Sequence, residues 1–388
     1  MNEPSASHPA LLPAGLRDVL PPEAELEARS VETIMDCFAA HGYQRVKPPL
    51  LEFEDSLFAG GGAATAEQTF RLMDPDSQRM MGLRADTTPQ IARLATTRLG
   101  EAPRPLRLAY AGQCLRVRGS HLSPERQIAQ AGIELIGHDT AEADAEIILT
   151  AIAALAAIGL ADISIDLTMP NLVPSLLAGL PPAQAAGFAH ALDRKDEAAV
   201  AAIGGELAPT LLALLAASGA AERACPALMA IALPAFAHEQ AVRLAEALAV
   251  LRRHDPDLKL TIDPVEFRGY QYHTGLCITL FAPGNQSELG RGGRYLCGDA
   301  EPATGITLYP DSIIRAAPSA KLRSRLYLPF GTPIQAAAAA RAQGFATIAG
   351  LAAHPNPAAE ARRLGCSHIA VSTGITLLPA ITPPEPRL

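Results

Sequence analysis

Ile128-Ala129-Gln130-Ala131-Gly132-Ile133-Glu134-Leu135 sets two polar side chains four residues apart inside an apolar run. On a strand Gln130 and Glu134 face one side, and Ala129, Ala131, Ile133 and Leu135 face the other. A hydrophobic face thus backs a face that carries an amide and an acid. Just before it, the apolar run Leu106–Leu115 also reads as a strand and ends in Arg116 and Arg118. Further upstream, Leu83-Arg84-Ala85-Asp86-Thr87-Thr88-Pro89 places an acid beside two hydroxyls ahead of a helical stretch, where Thr87 or Thr88 is suited to cap the helix. These segments predict an open antiparallel sheet face bearing acids, an amide and arginines. Such a face suits a zwitterionic ligand, with carboxylates for an ammonium and arginine for a carboxylate or phosphate.

Outward from these strands the pattern is mixed α+β. Leu26, Val31, Ile34, Met35 and Phe38 recur at helical spacing between Pro22 and Gly42, with Glu23, Glu25 and Glu27 in the first turns, where the helix dipole favours acids. Residues 43–53, containing Val46 and the pair Pro48-Pro49, read as an extended segment that pairs at a sheet edge. Further strands are expected at 164–167, 258–262 and 275–281, and helices at 88–99 and 144–158. From about 171 to 250 the composition shifts to Ala and Leu, punctuated by Pro181, Pro182, Pro226 and Pro234, which predicts a helical insertion without strand-like alternation. A polar, basic linker at 318–325 closes a first domain of about 1–320. Residues 325–388 then read as a small β-α-β-α-β unit, with strands near 326–329, 345–348 and 368–371 and helices near 333–343 and 357–364.

Composition narrows the function. The 388 residues are 49% hydrophobic and 19% charged, enough for two or three globular units. A net charge of -8, no Trp and 4% aromatics leave few stacking platforms, which argues against a nucleic-acid binder. The insertion carries four basic residues against seven acidic ones, unlike a surface that tracks phosphates. Cys37, Cys114, Cys225, Cys277, Cys297 and Cys366 form no C-x-x-C pair and read as reduced core thiols of a cytoplasmic protein. The N-terminal stretch lacks a basic region followed by an apolar run, so no signal peptide is expected. The most apolar stretch, 147–161, falls short of the roughly 20 residues of a membrane span and predicts a buried helix. Gly60-Gly61-Gly62 is followed by Ala63-Ala64-Thr65 with no lysine to meet a phosphate and reads as a mobile loop. No H-E-x-x-H occurs, and neither a metal nor a cofactor is expected.

Two later segments complete the pattern. Phe267-Arg268-Gly269-Tyr270-Gln271-Tyr272-His273-Thr274-Gly275 gathers an arginine, two tyrosines and a histidine ahead of a strand. Gly290-Arg291-Gly292-Gly293-Arg294-Tyr295 follows a turn at Pro283-Gly284-Asn285. Together with residues 13–22, Pro48-Pro49-Leu50-Leu51-Glu52, Leu83 to Thr88, Arg116 and Gln130 to Glu134, these resemble, in order, the framework of histidyl-tRNA synthetases over about residues 11–315. The last 64 residues are similar to a shortened anticodon-binding domain. The resemblance implies a class II synthetase fold, an antiparallel sheet flanked by helices, with a dimer-forming first motif at Pro49. It also implies that Asp86, Thr88 and Gln130 meet a histidine α-amino group, Glu134 its imidazole, Arg268 its carboxylate or an adjoining phosphate, and Arg116 the ATP α-phosphate. The candidate set for a histidine-like ligand is therefore Asp86, Thr88, Arg116, Gln130, Glu134, Arg268, Tyr272 and His273.

Departures from that family point away from catalysis. Arg118 stands where the second motif has the glutamate that holds adenine, and Ser312 stands where the third motif has the arginine that grips the γ-phosphate. A neutral hydroxyl does not replace a bidentate cation on a triphosphate. His273 replaces a ring-binding tyrosine, and Asp86 is one methylene shorter than the family's glutamate. A synthetase-like chain so altered resembles the regulatory subunits of ATP phosphoribosyltransferase, the synthetase paralogues of histidine biosynthesis. That resemblance implies no catalysis of its own, association with a short-form catalytic subunit, self-association as a dimer, histidine as effector, and no tRNA or membrane partner. An active histidyl-tRNA synthetase with unusual motifs, or another histidine-sensing paralogue, stays open on the sequence.

Overall fold

Side-chain alternation along two ten-residue strands organises the larger part of the chain. The computed structural model describes residues 12–119, 124–267, 272–284, 287–298, 300–318 and 322–379, which fall into two units, Met1–Pro318 and Ser319–Leu388. In chain order the strands of the first unit are β1 (Gln44–Arg45), β2 (Leu51–Phe53), β3 (Arg71–Met73), β4 (Met80–Leu83), β5 (Leu106–Leu115), β6 (Gln127–Ile136), β7 (Ser164–Thr168), β8 (Gly219–Ala220), β9 (Lys259–Asp263), β10 (His273–Phe281), β11 (Gly290–Cys297) and β12 (Glu301–Leu308). Nine of them make one sheet in the order β1-β5-β6-β12-β11-β10-β7-β9-β8. Its pairs are antiparallel except β1 with β5 and β7 with β9.

One face of this sheet is the main core. Ala109, Ala131, Ile133, Leu135, Ile165 and Leu167 pack there against Ile34 and Phe38 of helix Glu23–Ala40, Ile147, Ile148 and Leu155 of helix Ala141–Ala157, and Leu244 and Leu251 of helix Ala235–His254. Each of these Leu, Ile and Phe side chains contributes about 1.5–3 kcal/mol by leaving water. The long helix expected from the apolar run is thus buried, and Thr140 caps it by accepting from Ala143 N–H. The opposite face was expected to be open, and it is not. Leu106, Leu108, Tyr110, Ile136 and Tyr295 on that side are covered by Ile91 and Ala95 of helix Thr88–Thr96. The reason is that β5 is apolar on both faces, so both need cover.

Other expectations divide. Residues 43–53 do not form one edge segment: β1 pairs with β5 at the edge of the large sheet, whereas β2 joins β4 and β3 in a separate three-stranded sheet. The Gly60 run is no loop but a 3₁₀ helix, Gly60–Gln68. The insertion is helical as expected, from Leu172–Leu177 to Ala235–His254, except that β8 interrupts it and pairs with β9. The six cysteines are free, and four of them are buried, with Cys37 and Cys225 partly exposed.

The second unit has strands β13 (Arg325–Leu328), β14 (Ala346–Ala349), β15 (His368–Val371) and β16 (Gly374–Leu377), in the order β14-β13-β15-β16. β13 is parallel to β14 and β15, joined by helices Ile334–Ala342 and Pro357–Arg363. The antiparallel β16 was not expected, because a four-residue strand after a tight turn has too little pattern to read. Two small clusters, Tyr327 with Ala361 and Ile369, and Leu326 and Leu328 with Ala337 and Ala340, line the sheet's faces.

Candidate functional site

The site sits where helix Thr88–Thr96 begins against the centre of the sheet. Thr87 occupies the N-cap position, yet no side chain caps the helix. The Thr87 hydroxyl instead donates to Gln130 Oε1 at 2.9 Å, and its backbone N–H donates to the same oxygen at 3.1 Å. Gln130 Nε2 in turn donates to Asp86 Oδ1 at 3.3 Å, an oxygen that also accepts from Thr88 N–H at 3.4 Å. These bonds fasten the acid-hydroxyl segment to β6, so the two polar stretches that the sequence separates by some forty residues meet here.

Glu134 lies one step deeper and is only 1% exposed. Thr88 Oγ1 donates to its Oε1 at 2.9 Å and the Tyr295 hydroxyl to its Oε2 at 2.9 Å. The network continues from Thr88 Oγ1 to the Tyr110 hydroxyl at 3.3 Å, and from there to Thr307 Oγ1 at 2.6 Å. Two glycines make room for it. Gly305 pairs with Glu134 across β12 and β6, and a Cβ there would lie 1.8 Å from Glu134 Oε2. Gly132 pairs with Tyr110, and a Cβ there would lie 2.5 Å from the phenol oxygen. A glycine inside a strand often marks such a close approach.

Burial dominates the electrostatics. It pushes the Glu134 carboxyl up to about 8, against the hydrogen bonds from Thr88 and Tyr295 that favour the ionised form. At neutral pH the group is therefore mainly the uncharged acid. Burial also holds the hydroxyls of Tyr110, Tyr272 and Tyr295 well above the ordinary phenol range.

Thr88, Glu134, Tyr272, His273, Arg291, Gly293, Tyr295, Gly305 and Thr307 line a cavity with about 10 Å³ for the centre of a water molecule. That is room for about one water. One wall is the ring of His273, 5% exposed, stacked on Tyr272 at 4.1 Å and 28°. Asn171 Nδ2 fixes the strand start by donating to the His273 carbonyl at 3.1 Å, and Tyr295 meets Tyr272 edge-on at 6.1 Å.

Of the expected site residues, Thr88, Glu134, Tyr272 and His273 share the cavity. Asp86 and Gln130 stand behind Thr87 and Thr88 and do not line it. Arg116 does not line it either: it lies at the end of β5, its Nε 3.4 Å from the Ala85 carbonyl. Arg268 lies outside the described residues. Of the two residues where the resemblance implies a lost nucleotide contact, Arg118 is exposed, and Ser312 is buried with its hydroxyl accepting from Arg315 Nη2 at 3.3 Å. Sequence reasoning missed Tyr110, Thr307, Gly305 and Arg291. Tyr110 and Thr307 look like ordinary strand residues, and only the register that pairs glycines opposite bulky groups gives them away. Tyr295 and Arg291 were visible inside the glycine-rich run, but the side they face was not. Arg294 points to the other face, where its Nη2 donates to Asp144 Oδ2 at 2.8 Å and to the Thr140 carbonyl at 2.7 Å, and its Nη1 pairs with Asp139. Among the described residues no group of three or more His, Cys, Asp or Glu is placed to hold a metal, and no helix is long and apolar enough to cross a membrane.

The histidyl-tRNA synthetase family model matches residues 15–313. A Paramagnetospirillum magneticum protein named ATP phosphoribosyltransferase regulatory subunit is 55% identical over 92% of this chain and 95% of its own length. One from Rhodospirillum centenum, of the same name, is 53% identical over 95% of this chain and 96% of its own. A crystal structure described as an ATP phosphoribosyltransferase regulatory subunit/histidyl-tRNA synthetase from Bacillus halodurans superposes with a TM-score of 0.77 at 24% identity, covering 93% of this chain and 97% of that one. Histidyl-tRNA synthetase from Nostoc gives 0.76 at 16% identity over 93% and 91%. The fold is thus that of the class II synthetases, and the Paramagnetospirillum and Rhodospirillum relatives are named as regulatory subunits. On identity above one half across nearly the whole length, the chain belongs to the family of ATP phosphoribosyltransferase regulatory subunits, built on a histidyl-tRNA synthetase-like body.

Proposed function

We propose that this chain is the non-catalytic subunit that activates a short-form ATP phosphoribosyltransferase in the cytoplasm and makes it sensitive to histidine, which binds at Glu134. The observation that carries the reading is a buried, uncharged carboxyl in a small cavity walled by Tyr272 and His273, on a sheet whose nucleotide positions hold Arg118 and Ser312. A carboxyl poised near pH 8 can exchange a proton with an imidazole, and in a dry site the resulting charge-assisted hydrogen bond is strong. Asp86 and Gln130 then take the ammonium, with Arg268 at the carboxylate. Arg116, at the end of β5 and outside the cavity, does not meet the ring.

Regulation follows from the cavity's size. Room for one water does not admit an imidazole, so the wall of Tyr272 and His273 must shift when the ring enters. A ligand that needs a different wall has different affinities for two states of the subunit, which is what coupling to a partner requires. The chain also self-associates through the segment around Pro49 and takes neither tRNA nor membrane as partner. Reconstitution tests the reading. Adding this chain to the short catalytic subunit is expected to raise phosphoribosyl-ATP formation and to make it histidine-inhibited, and Glu134→Gln should keep the activation while losing the inhibition. No complex and no rate change would refute it. Histidine-dependent ATP–pyrophosphate exchange by the chain alone would favour an active synthetase instead.

A further inference from the structure

We propose that Arg291 reads the carboxylate of the amino-acid ligand whose side chain meets Glu134. The assignment rests on the histidine reading above and adds a recognition residue to it. Along β11 the site face carries Arg291, Gly293 and Tyr295, two residues apart. Gly293 has no side chain, and the His273 ring lies 2.8 Å from where its Cβ would stand, so that ring rather than a residue of β11 separates the guanidinium from the hydroxyl that holds Glu134. The facing positions on β12 are Thr307 opposite Arg291 and the bare Gly305 opposite Gly293, with Glu134 next beyond Gly305. Rows two residues apart are separated by about 6.6 Å. That offset suits a ligand with a ring at one end and a carboxylate at the other, and both Arg291 and Glu134 line the one cavity.

Charges around the outer part of the face complete a zwitterion's complement. Tyr309 is half-buried, and its hydroxyl feels the charges of Arg116, Glu288, Arg291 and Asp86, two guanidiniums and two carboxylates on this part of the face. Asp86 is the acid for an ammonium, and an arginine is the partner for a carboxylate. Arg291 is at present paired with Glu288, three residues away, and both side chains are 32% exposed. A partly hydrated pair of this kind, between β11 and the segment just before it, contributes little, so a ligand carboxylate can take the place of Glu288 and form a bidentate pair in a drier setting.

Calorimetry on the full chain with histidine and with histamine, which keeps the ring and the ammonium but lacks the carboxylate, tests the assignment. Arg291→Gln is expected to weaken histidine at least tenfold and leave histamine within about twofold, with Arg291→Lys recovering part of the loss. Glu288→Gln should tighten histidine severalfold and leave histamine unchanged, which keeps the proposal falsifiable if Arg291→Gln misfolds. Equal changes for both ligands, or none, would overturn it. So would a loss of ADP or inorganic phosphate binding in Arg291→Gln while histidine is unmoved, which would make Arg291 a phosphate reader. If the unaltered chain binds neither histidine nor histamine, the histidine reading itself fails and this assignment with it. If it binds both but the variants do not discriminate, only the assignment fails.

Discussion

Replacing Glu134 by Gln should change how the protein's stability depends on pH. In the unfolded chain this carboxyl titrates near 4.5, and in the fold burial pushes it up to about 8. The folded state therefore binds the proton more tightly, so the stability tied to this group is complete below about pH 4.5, declines as pH rises, and is fully lost above about 8. At about 1.4 kcal/mol per pKa unit the whole loss is about 3–6 kcal/mol for a side chain with almost no exposure to water. The glutamine side chain of Glu134→Gln has the shape of the protonated acid. Its carbonyl accepts from one of the two hydroxyls that Thr88 and Tyr295 offer, and its amide donates to the other after that hydroxyl turns. At about pH 5 the variant should thus match the parent within about 1 kcal/mol, the net scale of one hydrogen bond. At about pH 8.5 it should be more stable by about 3–6 kcal/mol. Urea unfolding of both proteins at half-unit steps across that range measures the difference directly, and other titrating groups cancel in it. Profiles that run parallel throughout would refute the argument that Glu134 is buried, uncharged and held by those two hydroxyls.

Other consequences of the geometry can be measured in the same way. Gly305→Ala puts a methyl 1.8 Å from Glu134 Oε2, so it should cost about 1–3 kcal/mol of overpacking in urea unfolding and abolish histidine binding. Arg294→Gln leaves Asp144 buried without its ion pair and should destabilise by about 3–5 kcal/mol, with Asp144→Asn in the double variant restoring much of it; no recovery would mean the pair is not the cause. Burial raises Cys114 and Cys297 to about 12, so in the folded protein a thiol reagent at about pH 8 should modify Cys37 and Cys225 well before either of them, as peptide mapping would show.

Alternation and spacing carried most of the fold. The polar residues Gln130 and Glu134 opposite four apolar neighbours, the ten-residue run of β5 and the helical spacing of Ile34, Met35 and Phe38 are local patterns, and a strand or helix turns them directly into faces. They put Gln130 and Glu134 on one polar strand face and the acid and hydroxyls of residues 86–88 ahead of a helix, while the ligand roles expected of Thr88 and Glu134 came from the resemblance. What they could not convey is which strand lies beside which. Gly305 and Gly132 read as weak strand residues until register sets them opposite Glu134 and Tyr110, where their missing side chains become the space that the site occupies. The same holds for the covered sheet face, which looked open because no local signal says that helix Thr88–Thr96 folds back over it.

The amino-acid order by itself determined which side chains share a face, because that depends on periodicity and on residues close in the chain, while the order of its motifs carried the resemblance to a synthetase body. Only the tertiary structure decided that Glu134 is cut off from water and mainly uncharged at neutral pH. It also decided that His273 walls the cavity, and that Arg291 rather than Arg294 faces it. Desolvation and proximity are sums over segments tens to hundreds of residues apart, and they come into being only when the strands take their places in the sheet.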